Sequence, residues 1–220
     1  MKFLDTDHIA ASTVKVVNRK GQGSAIVLDS SCYVATCAHV VPHRLEGLVN
    51  WYGHEDAEEE YEVVAYDKEA DTAILKVDPS FRKYLGMGGP TPSLRFLTSR
   101  KSIELGTVVA ACGYPWITPR EEDEGILTHP PTVTLGVISL WRSKGQPIML
   151  SALLHRGNSG GPVFNEHGIV MGIASQSLLY EESEPGSSMS LPLGYGEMIP
   201  MSMISKLASD SGIRLQWKQV

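Results

Sequence analysis

The chain has 220 residues, of which 42% are hydrophobic and 20% charged, so it is globular and long enough to bury a core without staples. Its apolar runs fall well short of the ~20 residues that cross a bilayer, which excludes a transmembrane helix. A net charge of −6 lacks the basic footprint of a nucleic-acid binder.

The opening, MKFLDTDHIAAS, carries Asp5 and Asp7 and no continuous apolar stretch, so it does not read as a signal peptide. Strands are then predicted at Thr13–Asn18, Gly23–Leu28, Cys32–Ala38, Gly47–Trp51, Tyr61–Tyr66 and Thr72–Val77. Each is a short run rich in Val, Ile, Tyr and Thr, bounded by Gly, Pro, Asp or Ser. Residues 85–93, LGMGGPTPS, have no periodicity and read as a linker. A second set of strands follows at Thr107–Tyr114, Thr132–Trp141, Ile148–Ala152, Pro162–Phe164, Ile169–Ser175 and Gly196–Ile199. Only Met201–Ser209 reads as helix, with Gly212 placed to end it. His54–Glu60, Pro115–Pro131 and Tyr180–Ser190 read as long acidic loops, solvated faces in the simplest account. Many short strands at this spacing predict an all-β sandwich or a pair of barrels.

Cys32, Cys37 and Cys112 are too few and too separated for a disulfide framework. The chain therefore reads as reduced and cytoplasmic, and as periplasmic or secreted only if a leader has been removed ahead of Met1. His8, His43, His54, His129, His155 and His167 form no metal-ligand spacing, and Gly86–Gly89 lacks the setting of a phosphate loop. No metal and no cofactor are expected. Cys37 is read as a small core residue.

Three patterns carry chemistry. In Gly157-Asn158-Ser159-Gly160-Gly161-Pro162, glycines flank a serine, so the backbone can turn tightly and a substrate can approach the hydroxyl. Such a turn can aim the amides of Gly157 and Ser159 at one point as an oxyanion hole, with Asn158 between them. Serine needs an adjacent base, and His39 ends the strand in Thr36-Cys37-Ala38-His39. Asp71 opens the apolar strand of Asp71-Thr72-Ala73-Ile74-Leu75-Lys76-Val77, where a carboxylate could fix the tautomer of an imidazole.

The order His39, Asp71, Ser159 on a β-rich chain resembles the chymotrypsin-like (trypsin-like) serine peptidases. TCAHV, DTAILKV and GNSGGP resemble that family's three motifs. Within it, Gly23-Ser24-Ala25-Ile26-Val27, Val109–Pro115, Thr132–Ser139 and Tyr195–Pro200 resemble the HtrA/Deg branch. The resemblance spans roughly residues 13–209. It implies two six-stranded antiparallel β-barrels and a short C-terminal helix, with a first barrel over 12–84 and a second plus helix over 94–209, together one peptidase domain. It implies a serine endopeptidase that uses a triad and an acyl-enzyme, with protein or peptide substrates. A regulatory partner or homo-oligomer is left open; nucleic acid and membrane are not expected.

Departures from the family are informative. Val40 stands where disulfide-bonded members carry Cys, and Asn158 stands where members activated by cleavage carry Asp. The resemblance places Leu153 at the base of the S1 pocket, followed by Leu154. It places Ser175, Gln176 and Ser177 along one wall and Gly196 near the far wall, where a missing side chain leaves room. An apolar base implies a small or medium apolar P1 residue. The rival reading is a catalytically latent or inactive binding module on the same fold. A viral-type processing protease fits less well, because no self-cleavage junction is evident.

Overall fold

The computed structural model describes residues 6–51, 54–81, 83, 94–99, 102–116, 130–140, 147–184 and 187–220. The expected linker 85–93 and residues 117–129 of the expected Pro115–Pro131 loop lie outside the described residues.

Six strands form the first sheet: β1 (Thr13–Asn18), β2 (Gly21–Val27), β3 (Tyr33–Thr36), β4 (Gly47–Trp51), β5 (His54–Asp67) and β6 (Thr72–Val77). They pair antiparallel and close into a barrel in the order β1-β2-β3-β6-β5-β4. Closure removes every free strand edge, which is how a small all-β unit avoids edge-to-edge association. Eight more strands follow: β7 (Arg95–Phe96), β8 (Val108–Gly113), β9 (Thr132–Leu140), β10 (Ile148–Leu150), β11 (Pro162–Asn165), β12 (Ile169–Glu184), β13 (Ser187–Pro200) and β14 (Lys218–Gln219). Six of them run in the order β11-β8-β9-β10-β13-β12, and β12 returns to pair with β11. The result is the expected second barrel. Strand β7 adds to β12 in parallel, and β14 adds to β7.

Alternation along single strands serves two apolar clusters at once. On β8, Ala110 and Cys112 face a core shared with the first barrel, while Val109 and Ala111 face the interior of the second. On β12, Val170 and Ile173 join the shared core, and Met171 and Ala174 the second interior. On β8 this is the strand period of two; on β12 the spacing is three, because a register shift against β11 interrupts the alternation.

Helix α1 (Thr6–Ala11) buries Ile9 in the shared core and was not expected from sequence. At six residues it is too short for a 3.6-residue pattern to show. Helix α2 (Met201–Asp210) follows Pro200 and buries Met201, Ile204 and Ala208, one stripe at helical spacing. It packs against β6 and β12. Gly212 stops it as expected, at φ +70, with the Ile213 N–H returning to the Ala208 carbonyl at 2.8 Å. The last residues cross back over both barrels. Asp29 Oδ2 accepts the Gln216 N–H at 2.8 Å, and Trp217 lies 5.0 Å from Phe96.

Two expected loops are strands instead. His54–Glu60 is the first half of β5, paired with β4 through Leu48↔Glu60, Val49↔Glu59 and Asn50↔Glu58. Acidic composition does not oppose a ladder made of backbone bonds; Glu58 and Glu60 are exposed, and Glu58 accepts from Asn50 Nδ2 at 2.8 Å. Of Tyr180–Ser190, residues 180–184 likewise lie on β12 and 187–190 on β13, with Tyr180 opposite Leu191 and Glu184 opposite Ser187. Pro185-Gly186, a turn dipeptide, was the available signal.

All three cysteines are free and buried. The melting temperature should therefore be the same with and without dithiothreitol. A marked drop in reductant, read by circular dichroism, would reveal a covalent link that this fold does not use.

Candidate active site

The predicted strand Cys32–Ala38 is shorter than expected. It ends at Thr36, and Ala38–Val40 form a single 3₁₀ turn that carries His39. The Ala38 N–H donates to the Asp71 carbonyl at 3.1 Å, and the His39 N–H donates to Asp71 Oδ1 at 2.9 Å. Asp71 itself sits at φ +52, a left-handed conformation that Asp tolerates better than most residues. That backbone twist turns its carboxylate toward the imidazole: His39 Nδ1 lies 2.8 Å from Oδ2 and 3.0 Å from Oδ1. Ser175 Oγ donates to Oδ2 at 2.9 Å. Burial pushes the Asp71 carboxyl up, but the bonds and charge of His39 and the bond from Ser175 outweigh it and hold the group below the usual carboxylate range.

Ser159 donates its hydroxyl to the Ser175 carbonyl. Ser175 thus touches both sides of the site, its carbonyl bonding Ser159 and its hydroxyl bonding Asp71, which in turn bonds His39. No hydrogen bond joins Ser159 to His39 among the described residues.

The backbone around Ser159 is tightly constrained. Residues His155 to Asn158 form a turn closed by the Asn158 N–H to the His155 carbonyl at 3.0 Å, with Gly157 at φ +96. A positive φ at the third position is the mark of a type II turn. The Arg156 carbonyl accepts the Trp116 N–H at 2.6 Å. In a planar trans peptide the Gly157 N–H must then point the opposite way, away from Trp116. Neither that amide nor the Ser159 amide has an acceptor among the described residues.

Ser24 holds this loop from the first barrel. Its side chain is fully buried. Its hydroxyl donates to the Gly157 carbonyl at 2.6 Å and accepts the Tyr114 N–H at 2.8 Å. Its own N–H donates to the Ser159 carbonyl at 2.8 Å. Gly160 must be glycine here, because a Cβ would lie 2.0 Å from the Ser24 carbonyl oxygen. In the sequence Ser24 stands out only as part of a strand that resembles the HtrA/Deg branch, and no local pattern marks this role.

Around the expected S1 pocket, Leu153 is exposed and Leu154 is buried in the interior of the second barrel. The room that Gly196 leaves is taken by Leu154, whose Cδ1 stands 2.5 Å from where a Cβ would be. Strand β12 bulges where it passes the site: Ala174 pairs with Met198 and Ser177 with Gly196, leaving Ser175 and Gln176 without a register partner on β13. One further acid was missed from sequence. Glu197 is buried and accepts Gln176 Nε2 at 3.0 Å. Cys37 is a buried residue as expected, but it lies beside the site, with Sγ donating to the Ala174 carbonyl at 3.2 Å. Burial above all, then the Asp71 charge, pushes its thiol well up, so it is protonated.

The family model of a trypsin-like peptidase domain matches residues 23–173. The chain belongs to this family. Among curated relatives, a probable periplasmic serine endoprotease, DegP-like, of Halomonas elongata is 30% identical over 205 residues, 90% of this chain and 38% of its own. The serine endoprotease DegS of Escherichia coli is 26% identical over 185 residues, covering 84% of this chain and 46% of its own. The crystal structure of the serine endoprotease from Yersinia pestis superposes with a TM-score of 0.68 at 25% identity, over 93% of this chain and 65% of that one. The peptidase is thus of the HtrA/Deg type, and it spans less than half the length of these two curated relatives.

The Ser24 clamp generates a prediction. Ser24→Ala leaves the Gly157 carbonyl and the Tyr114 amide buried without this partner, a cost of about 1–3 kcal/mol. The melting temperature should fall, and turnover should fall by about tenfold or more as the loop loosens. Unchanged kcat in a folded Ser24→Ala protein would show that the loop keeps its shape without the clamp.

Proposed function

We propose that this peptidase domain hydrolyses peptide bonds in proteins by the triad Ser159, His39 and Asp71. The observation that carries the reading is the His39–Asp71 pair, with Ser175 bonded to both Asp71 and Ser159, beside the amides of Gly157 and Ser159 that have no acceptor among the described residues. A χ1 rotation turns the Ser159 hydroxyl from the Ser175 carbonyl toward the imidazole. His39 Nε2 takes the proton as Oγ attacks the carbonyl carbon, and the developing oxyanion is held by the amides of Gly157 and Ser159, with Asn158 between them. Asp71 keeps the His39 proton on Nδ1 and stabilises the imidazolium. His39 then protonates the leaving amine, and water attacks the acyl-enzyme by the same route in reverse.

The barrels contribute separately: 12–84 supplies His39 and Asp71, and 94–209 supplies Ser159. Ser175, Gln176 and Ser177 offer backbone to the substrate at the bulge. Leu153, Leu154 and Gly196 shape the P1 site. Because Leu154 fills the space over Gly196, the site is shallow and apolar, and a small or medium apolar P1 residue fits it best, Ala or Val ahead of Leu or Met. The Halomonas relative is named as periplasmic, and we assign this chain to the same compartment in place of the cytoplasmic expectation. Free cysteines are compatible with either.

A second reading has one observation in its favour. Ser159 bonds the Ser175 carbonyl instead of His39, as in a resting or latent site. Labelling with a fluorophosphonate separates the two. The triad predicts covalent modification of the wild-type protein at Ser159. It also predicts that His39→Ala abolishes labelling and that Ser159→Ala and His39→Ala each remove nearly all peptidase turnover, the double mutant being little worse. A folded wild-type protein that is never labelled would hold a latent site or be a binding module.

A peptide-library digest tests the pocket. Cleavage should follow Ala and Val, with Leu154→Ala shifting preference to larger apolar residues. A strong preference for Arg or Lys would overturn the apolar account and point to Glu197.

A further inference from the structure

Cys37 lies two residues before the His39 general base, and nothing in the peptidase mechanism uses its sulfur. Its Sγ, a ring nitrogen of His39 and a carboxylate oxygen of Asp71 all lie within 4.8 Å of one another. These are a thiol, an imidazole and a carboxylate, the three ligand types that zinc accepts together. Cys32 and Cys112 belong to no such group among the described residues. The imidazole side chain is 48% exposed and the carboxylate side chain 28% exposed, so an ion can reach the triangle from solvent past His39 although the sulfur is buried.

We propose that Cys37, His39 and Asp71 form an inhibitory site for one Zn²⁺ or similar thiophilic divalent ion. Zinc bonds of about 2.3 Å to sulfur and 2.0–2.2 Å to nitrogen and oxygen set tetrahedral ligands roughly 3.3–3.6 Å apart. The His39–Asp71 pair must open by about half an ångström, and the sulfur must close by about an ångström at most, from its present bond to the Ala174 carbonyl. One proton leaves the thiol for solvent as the metal–sulfur bond forms. Thiolate and carboxylate together carry two negative charges, so the bound dication is neutralised where burial would otherwise penalise it. A water takes the fourth position.

The consequence for catalysis follows from the tautomer and rests on the triad reading above. A metal on His39 Nδ1 displaces the proton held there to Nε2. Nε2 is then a donor and cannot accept the Ser159 proton. The ion also removes Asp71 from the imidazole. The site is thus closed without any change in the oxyanion turn.

The test uses the intact chain with Cd²⁺ as spectroscopic probe and Zn²⁺ as inhibitor. Wild-type and Ser159→Ala proteins should each show a thiolate-to-Cd²⁺ ultraviolet charge-transfer band that saturates at one ion per chain. Zn²⁺ should inhibit peptidase turnover, reversibly on addition of a chelator. Cys37→Ser should lose the band and weaken Zn²⁺ inhibition at least tenfold, while Cys32→Ser and Cys112→Ser keep both. Absence of the band in wild type, or its persistence in Cys37→Ser, overturns the site. Equal Zn²⁺ inhibition of wild type and Cys37→Ser overturns the switch and places the inhibiting ion elsewhere. Should Cys37→Ser fail to fold, zinc-edge X-ray absorption of the wild-type complex decides: one sulfur neighbour is expected, and none contradicts the proposal. The Cd²⁺ band requires no turnover, so a chain that proves catalytically latent would still answer it.

Discussion

One buried hydroxyl joins the two halves of the active site. Ser24 belongs to the first barrel, yet three of its hydrogen bonds end on Gly157, Ser159 and Tyr114 of the second. A reactive turn with positive φ at Gly157 and Gly160 has little reason to hold its shape alone. Two of its carbonyls are tied to Ser24, a third to Trp116, and the Gly160 amide to Ala174. Buried polar groups that are all paired rigidify a site, whereas a single lost partner leaves the full desolvation cost behind. The amides of Gly157 and Ser159 have no acceptor among the described residues.

The same logic of over-determination governs Asp71. A non-glycine residue at φ +52 stores a backbone cost on the order of 1 kcal/mol. It is offset by bonds from the Ala38 and His39 amides, by the imidazole and by Ser175. The strained backbone directs a carboxylate whose ionisation burial opposes and three donors favour: the His39 N–H, the imidazole and the Ser175 hydroxyl. Ser175 is the hinge of the arrangement: its hydroxyl serves Asp71 and its carbonyl holds Ser159. In the proposed mechanism, a substrate strand running along the bulge at Ser175 and Gln176 competes for that carbonyl and frees the Ser159 hydroxyl.

The strands β1, β4 and β6 were legible to the residue because each is a short, largely apolar run with turn residues close to its ends. His39, Asp71 and Ser159 were legible because their chemistry sits in short local motifs. What was not legible depends on distance in sequence. Ser24 and Gly157 are 133 residues apart, and no local pattern announces their bond. The same holds for Leu154 against Gly196, where a gap predicted from one missing side chain is filled by another. Acidic stretches misled because charge reports on side chains, while β5 and the β12–β13 hairpin are made by backbone pairing. Helix α1 and the two-residue strands β7 and β14 are too short to carry a period, and they exist through tertiary contacts such as Ile9 in the shared core and Trp217 on Phe96.

The account depends on the Gly157 amide pointing at the reacting carbonyl, held there by the Arg156–Trp116 and Ser24–Gly157 bonds. A crystal structure of the covalent adduct at Ser159 with a peptide boronic acid tests this directly. The account predicts one boronate oxygen about 2.7–3.1 Å from both the Gly157 and the Ser159 amide nitrogens, with Ser24 Oγ still bonded to the Gly157 carbonyl. An adduct in which the Arg156–Gly157 peptide is flipped, so that its carbonyl faces the boronate, would contradict it.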